Sequence, residues 1–198
     1  MGKIFCIMGK SSSGKDTIYK RLLGEGSLPL NRIVTYTTRP IRVGEKDGEE
    51  YRFIDDETAK QLDAEGKIVE LRAYNTVHGI WKYMTVADEK IDLANHDYVI
   101  IGTPESYLGC LKYFGDDVMV PILITVDEGV RLERALKRER KQEHPKYEEM
   151  CRRFLADAKD FSEEKLKEAG IDNRFENEDL ESCYSQILQF IREKISSC

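Results

Sequence analysis

Residues 9–17 read Gly9-Lys10-Ser11-Ser12-Ser13-Gly14-Lys15-Asp16-Thr17. Ahead of them, residues 3–8 form a short apolar run that stops at Gly9 and reads as a buried strand. Behind them, Ile18, Leu22 and Leu23 fall at helical spacing over 15–23, and Gly24, Gly26 and Pro29 end that segment. Strand, glycine-bearing loop and helix in this order are the context in which GxxxxGK cradles a polyphosphate. The glycines let backbone N–H groups converge without side-chain clash, and the helix start adds its positive dipole end. Lys15 would reach the β- and γ-phosphates as a point charge. A plain strand-to-helix turn is the alternative, and the context argues against it. Asp16 stands where Ser or Thr is usual. Its carboxylate suits magnesium, a hard oxygen-seeking cation; Thr17 or water is the other candidate ligand.

Outward from this loop the pattern alternates. Residues 98–101 and 120–126 are continuous apolar runs, the signature of strands buried on both faces. Residues 106–114, 130–141, 146–159 and 180–195 read as helices, and 174–176 as a last strand. Such alternation predicts an α/β fold with a parallel sheet flanked by helices. Two regions break it: 35–90 and the charge-dense 131–155. In the first, 32–38, 51–54, 68–71 and 81–86 read as short strands and 57–66 as a helix.

Composition excludes several classes. Of 198 residues, 40% are hydrophobic, enough for a real core and too many for disorder. No apolar run reaches the roughly 18–20 residues of a membrane span, so no membrane partner is expected. Thirty-one Lys and Arg against 37 Asp and Glu give a net charge of −6, which disfavours general nucleic-acid binding. Five cysteines, an odd number without CxxC spacing, suggest neither zinc nor disulfides. Reduced thiols and no export signal point to the cytoplasm.

A second anion site is visible at 35–53, where Thr35, Thr37, Thr38, Arg39, Arg42 and Tyr51 gather hydroxyls and two guanidinium forks. With the loop upstream, Thr37-Thr38-Arg39, Arg42, Gly44-Glu45, Gly48, Tyr51 and Phe53 match the pattern TTRxxRxGExxGxxYxF, and the chain closely resembles guanylate kinases. The resemblance implies a P-loop NTPase-type core of 1–34, 91–130 and 160–198. It also implies an inserted nucleoside-monophosphate-binding subdomain at 35–90 and a helical lid at 131–159. It places ATP on Gly9 to Thr17, with Mg²⁺ at Asp16 or Thr17. It places the acceptor phosphate on Thr35, Arg39, Arg42 and Tyr51 with Glu45 in support, and guanine on Glu70. Lys15, Arg39 and two lid arginines, Arg138 and Arg153, are the implied catalytic cations. Asn177, ahead of Leu180, resembles a residue on the adenine side; a helix cap is its plain role.

The match departs at three places. Asp16 is the first. Around residues 74–85 either His78 or Tyr83 stands for a tyrosine of the family. After strand 98–101 the chain reads Gly102-Thr103-Pro104-Glu105, without the Asp-x-Asp element that contributes to base recognition. The expected activity is phosphoryl transfer from ATP to a nucleoside monophosphate, GMP foremost, by a monomer or homodimer whose partners are small nucleotides. A deoxynucleoside monophosphate or ribose phosphate is the alternative acceptor. A non-catalytic binding module is the rival class, and the intact phosphate loop opposes it.

Overall fold

The structure, a computed structural model, describes residues 1–198 except 25, 43, 77, 78, 89, 197 and 198. The first strand explains the rest of the core. β1 (Ile4–Met8) is buried along its whole length. Its side chains alternate between two apolar layers, Phe5 and Ile7 in one, Ile4, Cys6 and Met8 in the other. β1 therefore needs a strand on each side and a helix layer on each face. α1 (Lys15–Gly24), β2 (Leu30–Arg32), β7 (Asp97–Ile101), β8 (Met119–Thr125), β9 (Arg174–Glu176) and α7 (Leu180–Ser196) supply much of this. The sheet order is β2-β7-β1-β8-β9, parallel throughout. Ile18 and Leu22 of α1 and Cys183, Ile187 and Ile191 of α7 cover the Phe5 face. Tyr107 and Cys110 of α3 (Pro104–Phe114) and Leu166 of α6 (Glu163–Glu168) cover the Cys6 face.

A second sheet, β4-β3-β6-β5, branches from the core between β2 and β7. It contains β3 (Tyr36–Thr37), β4 (Arg52–Phe53), β5 (Ile68–Thr76) and β6 (Gly79–Val86). α2 (Asp56–Ala64) packs on it through Ala59 over Met84 and Val86, and Asp55 caps this helix by accepting from Thr58 N at 2.8 Å. Two further helices, α4 (Glu128–Glu139) and α5 (Tyr147–Asp160), pack against each other outside both sheets. Among the described residues no helix is long and apolar enough to cross a membrane.

Three sequence expectations change. The single strand expected at 32–38 is two, β2 in the core sheet and β3 in the second. Ile33 N still donates to Val99 O, whereas Thr35 O already accepts from Arg52 N, so the chain crosses between sheets at residue 34. The short strands expected at 68–71 and 81–86 are one long antiparallel hairpin. Residues 73–75 and 79–80 of it are all exposed, which leaves no alternation to read there. α6 was not expected; six residues are too few to show a helical period.

The hairpin is pressed onto α3 at one point. A Cβ on Gly109 would meet the Cβ of Glu70 well inside van der Waals contact. Gly109→Ala is expected to destabilise the protein by about 1–3 kcal/mol. The readout is a lower urea midpoint with an unchanged slope; an unchanged midpoint would contradict the contact.

Candidate active site

The loop between β1 and α1 is shaped by two residues with positive φ, Ser12 at 66° and Gly14 at 91°. Ser13 N donates to Lys10 O, and Thr17 N and Ile18 N both donate to Gly14 O. The N–H groups of Gly14, Lys15 and Asp16 have no acceptor among the described residues. Three donors are therefore unengaged at a helix start, where an anion is favoured. The hydroxyls of Ser12 and Ser13 and Oδ1 of Asn177 are buried and unpartnered around the same loop. Asn177 Nδ2 donates to Ser13 O at 2.7 Å and braces the loop from below. It also stands where a Cβ on Gly14 would lie. Lys15 Nζ rests 3.2 Å from Asp16 Oδ2. Asp16 and Thr17 are both exposed, two oxygen donors of the hard kind that suits magnesium.

The second cluster grows from β3, β4 and β6. Arg39, 3% exposed, forms a two-point fork with Glu45, Nη1 to Oε2 at 2.9 Å and Nη2 to Oε1 at 2.8 Å. Its Nη1 also donates to Pro40 O, and its guanidinium lies 5.3 Å from the Tyr51 ring centre and 5.4 Å from that of Phe53. Tyr83 packs edge-on against Tyr51, with ring centres 5.6 Å apart. The Arg39 hydrogen bond holds the Glu45 carboxyl below its ordinary 4.5. Burial, then Tyr83, raises the Tyr51 hydroxyl; Arg39 and Arg72 pull it down, and Asp16 pushes it up. The charge of Asp16 in the loop thus reaches Tyr51 in this cluster. Thr35 joins the ladder through its carbonyl. Arg42 gives its backbone N–H to Glu45, and the charge of Arg42 acts on Glu149 of α5.

α4 and α5 close the third side. Arg131 is the largest fully buried side chain. It donates to Glu128 at 2.6 Å and to Asp157 at 3.0 Å, stacks 3.7 Å over the Phe154 ring, and reaches Ser11 O at 3.4 Å. Asp157 Oδ2 in turn accepts from Ser11 N at 2.8 Å. Arg153 Nη2 donates to the Ser11 hydroxyl at 3.2 Å, and Lys10 pairs with Glu128. The helix pair is tied to the phosphate loop through Ser11 and Lys10.

Residues 1–100 match the family model of guanylate kinase. The chain belongs to the guanylate kinase family. Similar curated proteins include guanylate kinases of Zymomonas mobilis, 42% identical over 69 residues, and of Nitrosomonas europaea, 33% identical over 94. These alignments cover 35% and 46% of this chain, and span only 32% and 46% of the relatives' lengths. The crystal structure of guanylate kinase from Anaplasma phagocytophilum is similar over 98% of this chain and 86% of its own, with a TM-score of 0.66 at 22% identity, a likeness of fold.

Several positions expected from the guanylate kinase resemblance are brought together: Lys15, Asp16 and the loop on one side, Arg39, Glu45 and Tyr51 on the other, and Arg153 beside the loop. Arg138 is exposed on α4, and it is Arg131, two turns earlier, that meets the loop. Asn177 is not a cap; Asp179 caps α7 by accepting from Ser182 N, and Asn177 braces the loop. Tyr83, not fixed by the sequence, packs on Tyr51, while His78 lies outside the described residues. Thr103, after the core strand, caps α3 in a reciprocal box with Ser106. Sequence reasoning missed Arg72, Arg131 and Asp157. Arg131 and Asp157 sit in helices crowded with charge, and nothing local separates a buried arginine there from a solvated one.

Burial alone would raise the Glu128 carboxyl, but hydrogen bonds from Lys10 and Arg131 hold it below 4.5. A depressed carboxyl stabilises the fold above its unfolded pKa and loses that contribution as pH falls through the folded value. Stability is therefore expected to drop as the pH goes below about 4.5. Glu128→Gln should flatten that drop, measured by urea unfolding between pH 3 and 6 in steps of roughly half a unit. An identical slope in the variant would contradict this reading.

Proposed function

We propose that this protein is a phosphotransferase that moves the γ-phosphoryl group of ATP to the phosphate of a nucleoside monophosphate, with GMP as an acceptor, giving ADP and GDP. The observation that carries the proposal is a pair of positive sites: unengaged loop amides with Lys15 at one, and the Arg39, Tyr51 and Tyr83 cluster at the other. The charge of Asp16, on the first side, acts on Tyr51, on the second. The attacking group is a phosphate oxygen already ionised at neutral pH, so the site needs no general base. Its task is to hold two anions in line and to match charge that spreads over the moving phosphoryl oxygens.

Each group has a part in this. The amides of Gly14, Lys15 and Asp16 and the Lys15 ammonium would hold the triphosphate of ATP. Arg39, steadied by Glu45, and the Tyr51 hydroxyl would hold the acceptor phosphate, with Arg42 exposed at the rim to join them. Arg153, already at Ser11, would add positive charge from the lid and help to exclude water. Asp16 and Thr17 are the residues that would hold Mg²⁺. When bound, it would supply positive charge that offsets the negative charge of the transferring phosphoryl group.

A second reading keeps the chemistry and changes the acceptor to a nucleoside monophosphate other than GMP. It is favoured by Glu70, the base-side carboxylate, whose two oxygens are both engaged by Arg72.

A coupled ADP-release assay with GMP, dGMP, AMP, CMP and UMP tests the proposal. Turnover with GMP is expected. Lys15→Ala should lower kcat by about 10²–10³-fold, and Arg39→Ala should act mainly on the acceptor, raising its KM about tenfold or more. Full turnover by Lys15→Ala would refute the assignment of the donor site.

A further inference from the structure

Glu70 spends nearly all of its hydrogen-bonding capacity inside the protein. Oε1 accepts from the Thr85 hydroxyl at 2.8 Å and from Arg72 Nη2 at 3.2 Å; Oε2 accepts from Arg72 Nε at 2.9 Å. A carboxylate offers about four lone-pair sites, so one remains, on Oε2. The carboxylate cannot retreat, because Gly109 of α3 backs directly onto its Cβ. The two side chains are only 6% and 11% exposed.

The pattern on this carboxylate is specific. Arg72 presents two parallel N–H donors, Nε–H and Nη2–H, to the two oxygens. Guanine presents the same pattern with N1–H and its 2-amino group. Arg72 already makes, from within the chain, the contact that a guanine base would make. It does so as a cation, and charge-assisted hydrogen bonds are roughly twice as strong as neutral ones. The guanidinium also faces the rest of the site: Nη1 lies 3.4 Å from Thr103 Oγ1, and its charge acts on Tyr51 of the phosphate cluster. An incoming base therefore meets a carboxylate already engaged by a cation, beside a Thr103 hydroxyl taken up by Arg72 and Ser106.

We infer that Arg72 is a specificity-determining residue that competes with the acceptor base for Glu70 and holds discrimination in favour of guanine low. This rests on the phosphotransferase reading, and the test separates the two. Steady-state kinetics of the full chain would be run with ATP and GMP, AMP, CMP or UMP, for the wild type, Arg72→Ala and Arg72→Lys. The wild-type kcat/KM for GMP is expected within about tenfold of that for the next nucleotide. Arg72→Ala should raise the GMP preference about tenfold or more, through a lower KM for GMP at little-changed kcat. Arg72→Lys, which contacts the carboxylate at one point, should fall between. A wild type preferring GMP more than about tenfold, or an Arg72→Ala preference unchanged or lower, would overturn the inference. If Arg72→Ala does not fold, calorimetric GMP affinity of Arg72→Lys decides: tighter than wild type supports it, equal or weaker overturns it. If none of the three proteins phosphorylates any nucleotide, the functional reading fails, and the same GMP calorimetry still decides the role of Arg72.

Discussion

Removing a guanidinium from water costs several kcal/mol unless a partner and enough hydrogen bonds replace the solvent. That constraint organises this protein at three joints. Arg39 is matched by Glu45 in the phosphate cluster, Arg72 by Glu70 where the second sheet meets α3, and Arg131 by Glu128 and Asp157 where the helix pair meets the loop. In each case a fork geometry fixes the plane of the cation. Glu45, Glu70 and Glu128 are each within six residues of their arginine, so these matches form locally as the chain turns. Asp157 is the long-range exception, and together with Arg153 it joins α5 to Ser11. The forks hold positive charge in place and leave the loop amides and Lys15, which rests on Asp16, outside those matches.

Much of the core was legible in the sequence because its causes are local. The run from Ile4 to Met8 alternates between two layers, and Gly14 takes the positive φ that the turn into α1 requires. The apolar runs after residues 97 and 118 became the neighbours of β1, and the parallel pairing followed from the helices between them. Thr37, Arg39, Glu45 and Tyr51 could be picked out by pattern because one short segment carries them all.

The rest depended on what the folded chain brings together. The crossing at residue 34 has no sequence signature, since Ile33 belongs to one sheet and Thr35 to the other. Arg131 and Arg138 are alike on paper, and only the packing of Phe154 and Asp157 against one of them tells them apart. Asn177 reads as an adenine-side residue or a plain helix cap, and its contact with Ser13 follows only from the fold. Family likeness is divided in the same way. The matched segment, residues 1–100, contains the loop, the second cluster and Glu70, whereas α4 to α7 keep a similar fold to the Anaplasma enzyme at low identity.

The central claim is that two anion sites face each other across one cleft, close enough for direct transfer. Calorimetric titration, with Mg²⁺ present, of adenosine and guanosine joined through five phosphates measures this most directly. Such a ligand fills both sites at once only if they are one phosphoryl group apart. One-to-one binding about a hundredfold tighter than that of ATP or GMP alone is expected, with neither nucleotide able to bind afterwards. Binding no tighter than ATP, with GMP still taken up alongside, would contradict it.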